Sequence, residues 1–322
     1  MNNKVAFTRR EFVKLGGMLA AYAALPTGFT KVFAQGLEKL ATTTNVLWIQ
    51  GQSCSGESIS LLNSIEPGPA DLLTKYISLV LHQNVGAAQG EVFMNTLDKC
   101  ISNGDCILVF EGSIPMTMPH ACMIGGRTVE SILLQAIPKA KAVVASGTCA
   151  SYGGIPAAEG NQTGAASVKQ FMIKNNMPYK GKLINLPSCP THPKSIVSAL
   201  AYVASKGYPE VDPELLTPKM CYHVSTHDNC PRYHNYERKI FAQNFGDPDG
   251  CLFKLGCLGP LTKTECPGRQ WNSGVNWCIR ASAPCIGCSS PDFAQRKDFP
   301  FYRISENEHS VSYTENQRKG EY

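Results

Sequence analysis

Eight of the fourteen cysteines in this 322-residue chain fall between Cys221 and Cys288. Cysteine at that density either staples a chain with disulfides or ligates metal. From Tyr208 onward Pro, Gly, Cys and Trp are frequent, and hydrophobic periodicity fades after a helix predicted at Tyr236–Asn244. A segment with so little regular structure needs stability from another source, and bound metal contributes directly to folding. The donors there sort by spacing into two groups, His227-x2-Cys230-x20-Cys251-x5-Cys257 and Cys266-x11-Cys278-x6-Cys285-x2-Cys288. Four soft ligands per group suit a 4Fe–4S cluster. One His with three Cys also suits tetrahedral zinc, so spacing leaves the first group open between the two.

The first half reads differently. Apolar runs at Val46–Ile49, Cys106–Phe110, Ala142–Ala145 and Leu183–Leu186 predict buried parallel strands. Between and after them, helices are predicted at Asp71–Leu81, Val92–Ile101, Thr128–Ile137, Ala165–Lys174 and Lys194–Ala204. This alternation implies an α/β domain, a flavodoxin-like doubly wound parallel sheet over residues 35–206, followed by an irregular metal-cluster domain over 207–322. In such sheets cofactors sit beyond the carboxyl ends of the strands. Three predicted strands run into a cysteine within a few residues: Cys54, Cys149 and Cys189. Each alone suits a small buried side chain, but their shared topological position makes a third ligand group. Glycines around them let backbone amides approach a negatively charged cluster.

Residues 1–34 read as an export signal. Thr8-Arg9-Arg10-Glu11-Phe12-Val13-Lys14 resembles the twin-arginine consensus, and the apolar stretch Leu15–Leu25 is too short to span a membrane. Val32-Phe33-Ala34 suits a cleavage site. The formal charge of +5 is mostly signal: five basic groups against Glu11 account for four, leaving +1. That balance argues against a nucleic-acid partner. Twin-arginine export carries folded, cofactor-loaded proteins from the reducing cytoplasm, which favours metal ligation over disulfides. Ser305–Tyr322 is polar, so no transmembrane anchor of the chain's own is expected, and the location implied is the periplasm or the outer face of the cytoplasmic membrane.

Several motifs resemble nickel–iron hydrogenase small subunits. They are Glu111-Gly112-Ser113-Ile114-Pro115, Gly147-Thr148-Cys149-Ala150-Ser151-Tyr152-Gly153-Gly154, Leu186-Pro187-Ser188-Cys189-Pro190, His227-Asp228-Asn229-Cys230 and Pro284-Cys285-Ile286-Gly287-Cys288. The resemblance implies three iron–sulfur clusters, with the nickel–iron centre confined to a large partner subunit. Cys54, Cys149 and Cys189 would hold a proximal cluster. Cys266, Cys285 and Cys288 would hold a medial one, and His227, Cys230, Cys251 and Cys257 a distal one. The implied role is electron transfer between the large subunit and a separate redox or membrane partner, in H2 oxidation or evolution.

The chain departs from that pattern in places. The family usually has C-x-x-C in its first motif, where this chain has Cys54-Ser55-Gly56-Glu57. Glu57 thus becomes the candidate fourth proximal ligand, since a carboxylate oxygen binds iron as a harder donor. The alternatives are a carboxylate favoured at the start of a helix predicted over Ser58–Asn63, an oxygen from Ser55 or Ser58, or an open position. Where many relatives have proline after Asn-Trp and a 3Fe–4S medial cluster, Cys278 offers a fourth thiolate, so all three clusters are expected to be 4Fe–4S. The extra cysteines of oxygen-tolerant relatives correspond here to Gly56 and Gly154. Cys100 and Cys106 read as core residues; Cys122 and Cys221 match no ligand position. Two other classes compete. One is a quinone-reductase-type subunit with a single cluster, which the ten cysteines in three groups disfavour. The other is a zinc- or disulfide-stapled secreted binding protein.

Overall fold

The computed structural model describes residues 44–295. The segment read as a twin-arginine signal and the polar C-terminal end lie outside the described residues. The chain divides into two compact units, with the boundary between Met220 and Cys221.

The first unit is built on five parallel strands: β1 (Asn45–Gln50), β2 (Ser78–Leu81), β3 (Cys106–Glu111), β4 (Ala142–Ser146) and β5 (Leu183–Leu186). Their order is β2-β1-β3-β4-β5, the flavodoxin-like arrangement. Four of them coincide with the apolar runs. The fifth, β2, lies within the segment predicted as a helix over Asp71–Leu81. There a helical turn at Pro69–Asp71 and a π turn at Leu72–Tyr76 lead directly into the strand. Leu72 and Tyr76, four residues apart and both buried, imitate a helix face. The strand itself is at the sheet edge and largely half-buried, so it lacks the continuous burial of its neighbours.

Register brings the carboxyl ends level. Gln50 pairs with Glu111, Glu111 with Ser146, and Ser146 with Leu186, so these four residues form one row. Every loop that leaves this row starts from the same edge. The core beneath it is dense: Trp48, Phe110 and Phe171 are among the largest fully buried side chains. The Phe110 ring lies directly under Gly51, where an added Cβ would come within 2.6 Å of Cζ. The loop leading to Cys54 therefore rests on the core itself.

Helices α1 (Gly56–Leu62), α2 (Gly90–Asn103), α3 (Val129–Lys139), α4 (Gly147–Tyr152), α5 (Val168–Lys174) and α6 (Pro193–Lys206) complete this unit. The predicted helix at Ala165–Lys174 starts later than expected. Ala165–Ala166 instead pairs with Ile114–Pro115 as a short antiparallel ladder, and Ser167 then opens α5 with a capping box to Gln170. Residues 208–220 also belong to this unit, beyond the expected boundary at 206. Leu216 is buried and its carbonyl accepts from the Asn185 amide at 2.9 Å, while the Tyr208 hydroxyl donates to the Leu183 carbonyl at 2.8 Å. Cys100 and Cys106 are buried in the core, as expected, and Cys122 packs against it.

The second unit has little regular structure. Helix α7 covers only Tyr233–Glu237, displaced from the predicted Tyr236–Asn244. Lys239 takes a left-handed conformation (φ 59°) and stops it. Helix α8 is a single turn, Cys266–Arg269. Its hydrophobic cluster consists of Ala242, Leu252, Cys257, Trp277, Ile279 and Cys285. Arg232 braces the loops: its guanidinium donates to the carbonyls of Asp247 (3.2 Å) and Gly250 (3.0 Å) and to Ser282 Oγ (2.9 Å).

Candidate metal centres

At the carboxyl edge of the sheet, Cys54 follows β1, Cys149 sits in α4 directly after β4, and Cys189 follows β5. Glycine positions report how closely they gather. A Cβ on Gly56 would lie 3.1 Å from Cys54 Sγ and 3.6 Å from Pro190 Cβ, so Cys54 neighbours the Cys189–Pro190 turn. A Cβ on Gly154 would lie 2.7 Å from Cys149 Sγ. The Gly56 and Gly154 positions therefore abut these sulfurs.

Glu57 points inward. Its Oε2 accepts from the Thr191 amide at 2.6 Å, and its Oε1 lies against Gly147, whose φ of +89° and missing Cβ leave the room. Burial pushes this carboxyl up to about 8; the Thr191 amide opposes the rise and the nearby Glu111 charge adds to it. Burial likewise pushes the Cys149 thiol up to about 12, with the Ile155 amide opposing and the charges of Glu57, Cys54 and Glu111 adding. A thiol so placed is not ionised at neutral pH unless a metal displaces its proton.

The second unit holds the remaining candidate donors. Cys257, pushed up to about 12 mainly by burial, also lies within electrostatic range of Cys230 and Cys251. The Gly259 Cβ position lies 3.5 Å from Cys257 Sγ and 3.6 Å from His227 Cβ, so the base of the histidine side chain lies near Cys257. Burial lowers the His227 pKa, with Asp228 opposing, so the ring is neutral and able to ligate. The ring meets Tyr236 edge-on, with centroids 4.6 Å apart, and Tyr233 at 5.0 Å. Cys266 is likewise pushed up to about 12 by burial, and its charged neighbours are Cys288 and Cys278. Cys285 belongs beside Cys288 but also touches the other group: its amide donates to Cys257 Sγ at 3.4 Å.

Among the described residues, no three His, Cys, Asp or Glu side chains converge closely enough to chelate one ion. Soft thiols with one imidazole suit tetrahedral zinc, which draws four donors to a single point, and equally an iron–sulfur cluster, which gives each donor its own iron.

The family of C-terminal domains of the NiFe/NiFeSe hydrogenase small subunit matches residues 222–302, and "NADH ubiquinone oxidoreductase, 20 Kd subunit" matches residues 54–203. The periplasmic [NiFeSe] hydrogenase small subunit of Desulfomicrobium baculatum is 37% identical, over 92% of this chain and 99% of its own length. The periplasmic [NiFe] hydrogenase small subunit 1 of Nitratidesulfovibrio vulgaris is 35% identical, over 92% and 93%. Among solved structures, the recombinant [NiFeSe] hydrogenase from Desulfovibrio vulgaris Hildenborough aligns with a TM-score of 0.76 at 38% identity, covering 82% of this chain and 99% of that one. The chain belongs to the nickel–iron hydrogenase small subunits.

Membership in the hydrogenase small subunits explains the double match. The match over residues 54–203 is to the quinone-reductase type, but residues 222–302, in the second unit, match the hydrogenase family. The quinone-reductase alternative is therefore not favoured. No helix among the described residues of this small subunit is long and apolar enough to cross a membrane. Sequence reasoning missed one feature of the proximal edge. Glu111, quoted only as part of a motif, is buried at 1% exposure with five donors around its carboxylate. The available signal was its position, a charged residue closing the otherwise apolar strand Cys106–Phe110.

Proposed function

We propose that the chain conducts electrons between a nickel–iron centre in a separate large subunit and a redox partner, through three iron–sulfur clusters, as part of an enzyme acting on H2. Cys54, Glu57, Cys149 and Cys189 would hold the proximal cluster, Cys266, Cys278, Cys285 and Cys288 the medial, and His227, Cys230, Cys251 and Cys257 the distal, all 4Fe–4S. The observation that carries the reading is the placement of three sequence-distant thiols and a buried carboxylate at one sheet edge of the first unit.

When bound, the clusters supply one-electron redox chemistry at potentials tuned by ligand type, burial and hydrogen bonds. The protein's part is to bury thiols such as Cys149, Cys257 and Cys266, where ionisation without metal is discouraged, and to aim amides at sulfur. The Arg232 amide donates to Cys230 Sγ at 3.4 Å, and the Cys285 amide does the same for Cys257. His227 supplies a neutral ligand in place of a charged thiolate, which favours the reduced form. Ile59 (62% exposed), in the helix that carries Glu57, and Ile155, whose amide bonds to Cys149, present apolar side chains beside the proximal site, which suits a surface covered by a large subunit. The twin-arginine signal and the periplasmic relatives support export to the periplasmic side.

The deciding experiment purifies the complex anaerobically and quantifies iron, sulfide and nickel. Iron and sulfide sufficient for three clusters, with nickel confined to the large subunit, is the expected result. A colourless, zinc-loaded chain overturns the reading.

A further inference from the structure

The carboxyl edge carries a buried polar network that the ligand assignment does not use. Its direction follows from His82. Nδ1 of that ring accepts from the backbone amides of Asn84 (3.1 Å) and Val85 (3.2 Å). The ring proton is thereby placed on Nε2, which donates to Ser58 Oγ at 3.0 Å. Ser58 in turn donates its own proton to Glu111 Oε2 at 2.5 Å. Trp48 Nε1 (2.9 Å) and Gln50 Nε2 (3.2 Å) donate to the same oxygen. Oε1 accepts from Ser53 Oγ (2.8 Å) and the Glu57 amide (3.2 Å). Every partner is a donor, so the carboxylate acts only as an acceptor and lies in the interior as an anion.

Two of those donors, Ser53 and the Glu57 amide, flank the segment 54–56 that presents Cys54. Ser53 Oγ also accepts from the Ser55 amide at 2.9 Å, holding the left-handed turn at Ser55 (φ 62°). One carboxylate thus ties β1, β3 and α1 to the loop carrying two proximal donors, and the Ser58–His82 pair extends the tie to the end of β2.

We propose that Glu111, oriented by Ser58 and His82, is a positioning residue of the proximal site that fixes the 53–57 loop and lowers the potential at which the bound cluster accepts an electron. An arriving electron is a second negative charge beside a buried one, in surroundings that screen poorly. The inference rests on the proximal ligand assignment above.

The test is an EPR-monitored redox titration of all three clusters in the anaerobically purified complex, with iron and sulfide quantified in each sample. Glu111→Gln keeps the shape and removes the charge, so the proximal midpoint rises. Ser58→Ala keeps the charge and withdraws a donor, so the proximal midpoint falls. The medial and distal midpoints stay in place in both. Opposite signs identify the carboxylate's charge as the cause, since a merely loosened loop moves both variants the same way. Shifts of one sign, or an unmoved proximal midpoint with full iron content, overturn the proposal. If Glu111→Gln does not assemble, Ser58→Ala and His82→Phe decide: a fall in both supports the proposal, and an unmoved or raised midpoint overturns it. An unmodified complex without a proximal cluster would instead sink the ligand assignment.

Discussion

Glu57 offers the sharpest test of the proximal site. Its carboxyl rises from an ordinary 4.5 to about 8 with the short Thr191 amide bond already in place. At about 1.4 kcal/mol per tenfold change, the ionised form is disfavoured by roughly 5 kcal/mol relative to an ordinary exposed carboxyl, so without a nearby cation the group is mostly protonated at neutral pH. An iron of the proposed cluster would favour the ionised form by its opposite charge. Glu57→Gln keeps the shape and an acceptor for Thr191 but is a poor iron ligand; Glu57→Ala removes both. If the carboxylate ligates, both variants lose or labilise one iron of the proximal cluster, and Glu57→Cys restores a four-thiolate set. The assay is iron and sulfide content of the anaerobic complex, with the proximal EPR signal as the second readout. Full iron content and an unchanged potential in Glu57→Ala would refute the reasoning and leave the residue a buried helix-start carboxylate.

Three other outcomes are expected. Cys278→Ser should convert the medial cluster to a three-iron form with the corresponding EPR signal in the oxidised complex, whereas the unmodified complex should show none in the absence of oxidative damage. Gly147→Ala combines a positive φ, costing about 1–2 kcal/mol, with a Cβ driven against the Glu57 carboxylate, so thermal unfolding should show a loss of at least about 2 kcal/mol. Replacing Arg9 and Arg10 with Lys keeps the charge but loses the guanidinium geometry, and unprocessed precursor should accumulate in the cytoplasm on fractionation.

The parts legible in the sequence were those that one physical rule decides alone. Strands β1, β3, β4 and β5 are buried on both faces and read as unbroken apolar runs. The convergence of Cys54, Cys149 and Cys189 follows from parallel topology without any side-chain detail. Strand β2 escaped because an edge strand with one partner carries a weaker pattern, and because the π turn before it spaces Leu72 and Tyr76 like a helix. The Glu111 network escaped for a different reason. Its members come from β1, α1, β3 and the turn after β2, and hydrogen bonding across sequence separations such as 53 between Ser58 and Glu111 leaves no local periodicity. Glu57 was legible as a position but not as an environment: the resemblance to the family's C-x-x-C motif found the residue, and only folding shows it facing Gly147 and Thr191.

The hydrophobic cluster of the second unit is assembled partly from its own donors: Cys257 and Cys285 lie inside it, with Cys230 and Cys266 packed alongside. In most domains, interior residues can drift among aliphatic side chains while the functional surface is held constant. Here the interior and the proposed ligands overlap, so this unit has little freedom to trade one against the other. If the ligand assignment holds, a lineage that abandoned one cluster would have to rebuild the packing around it in the same step. The amide of Cys285 on the sulfur of Cys257 tightens that restriction, because an alteration at either donor group is felt at the other.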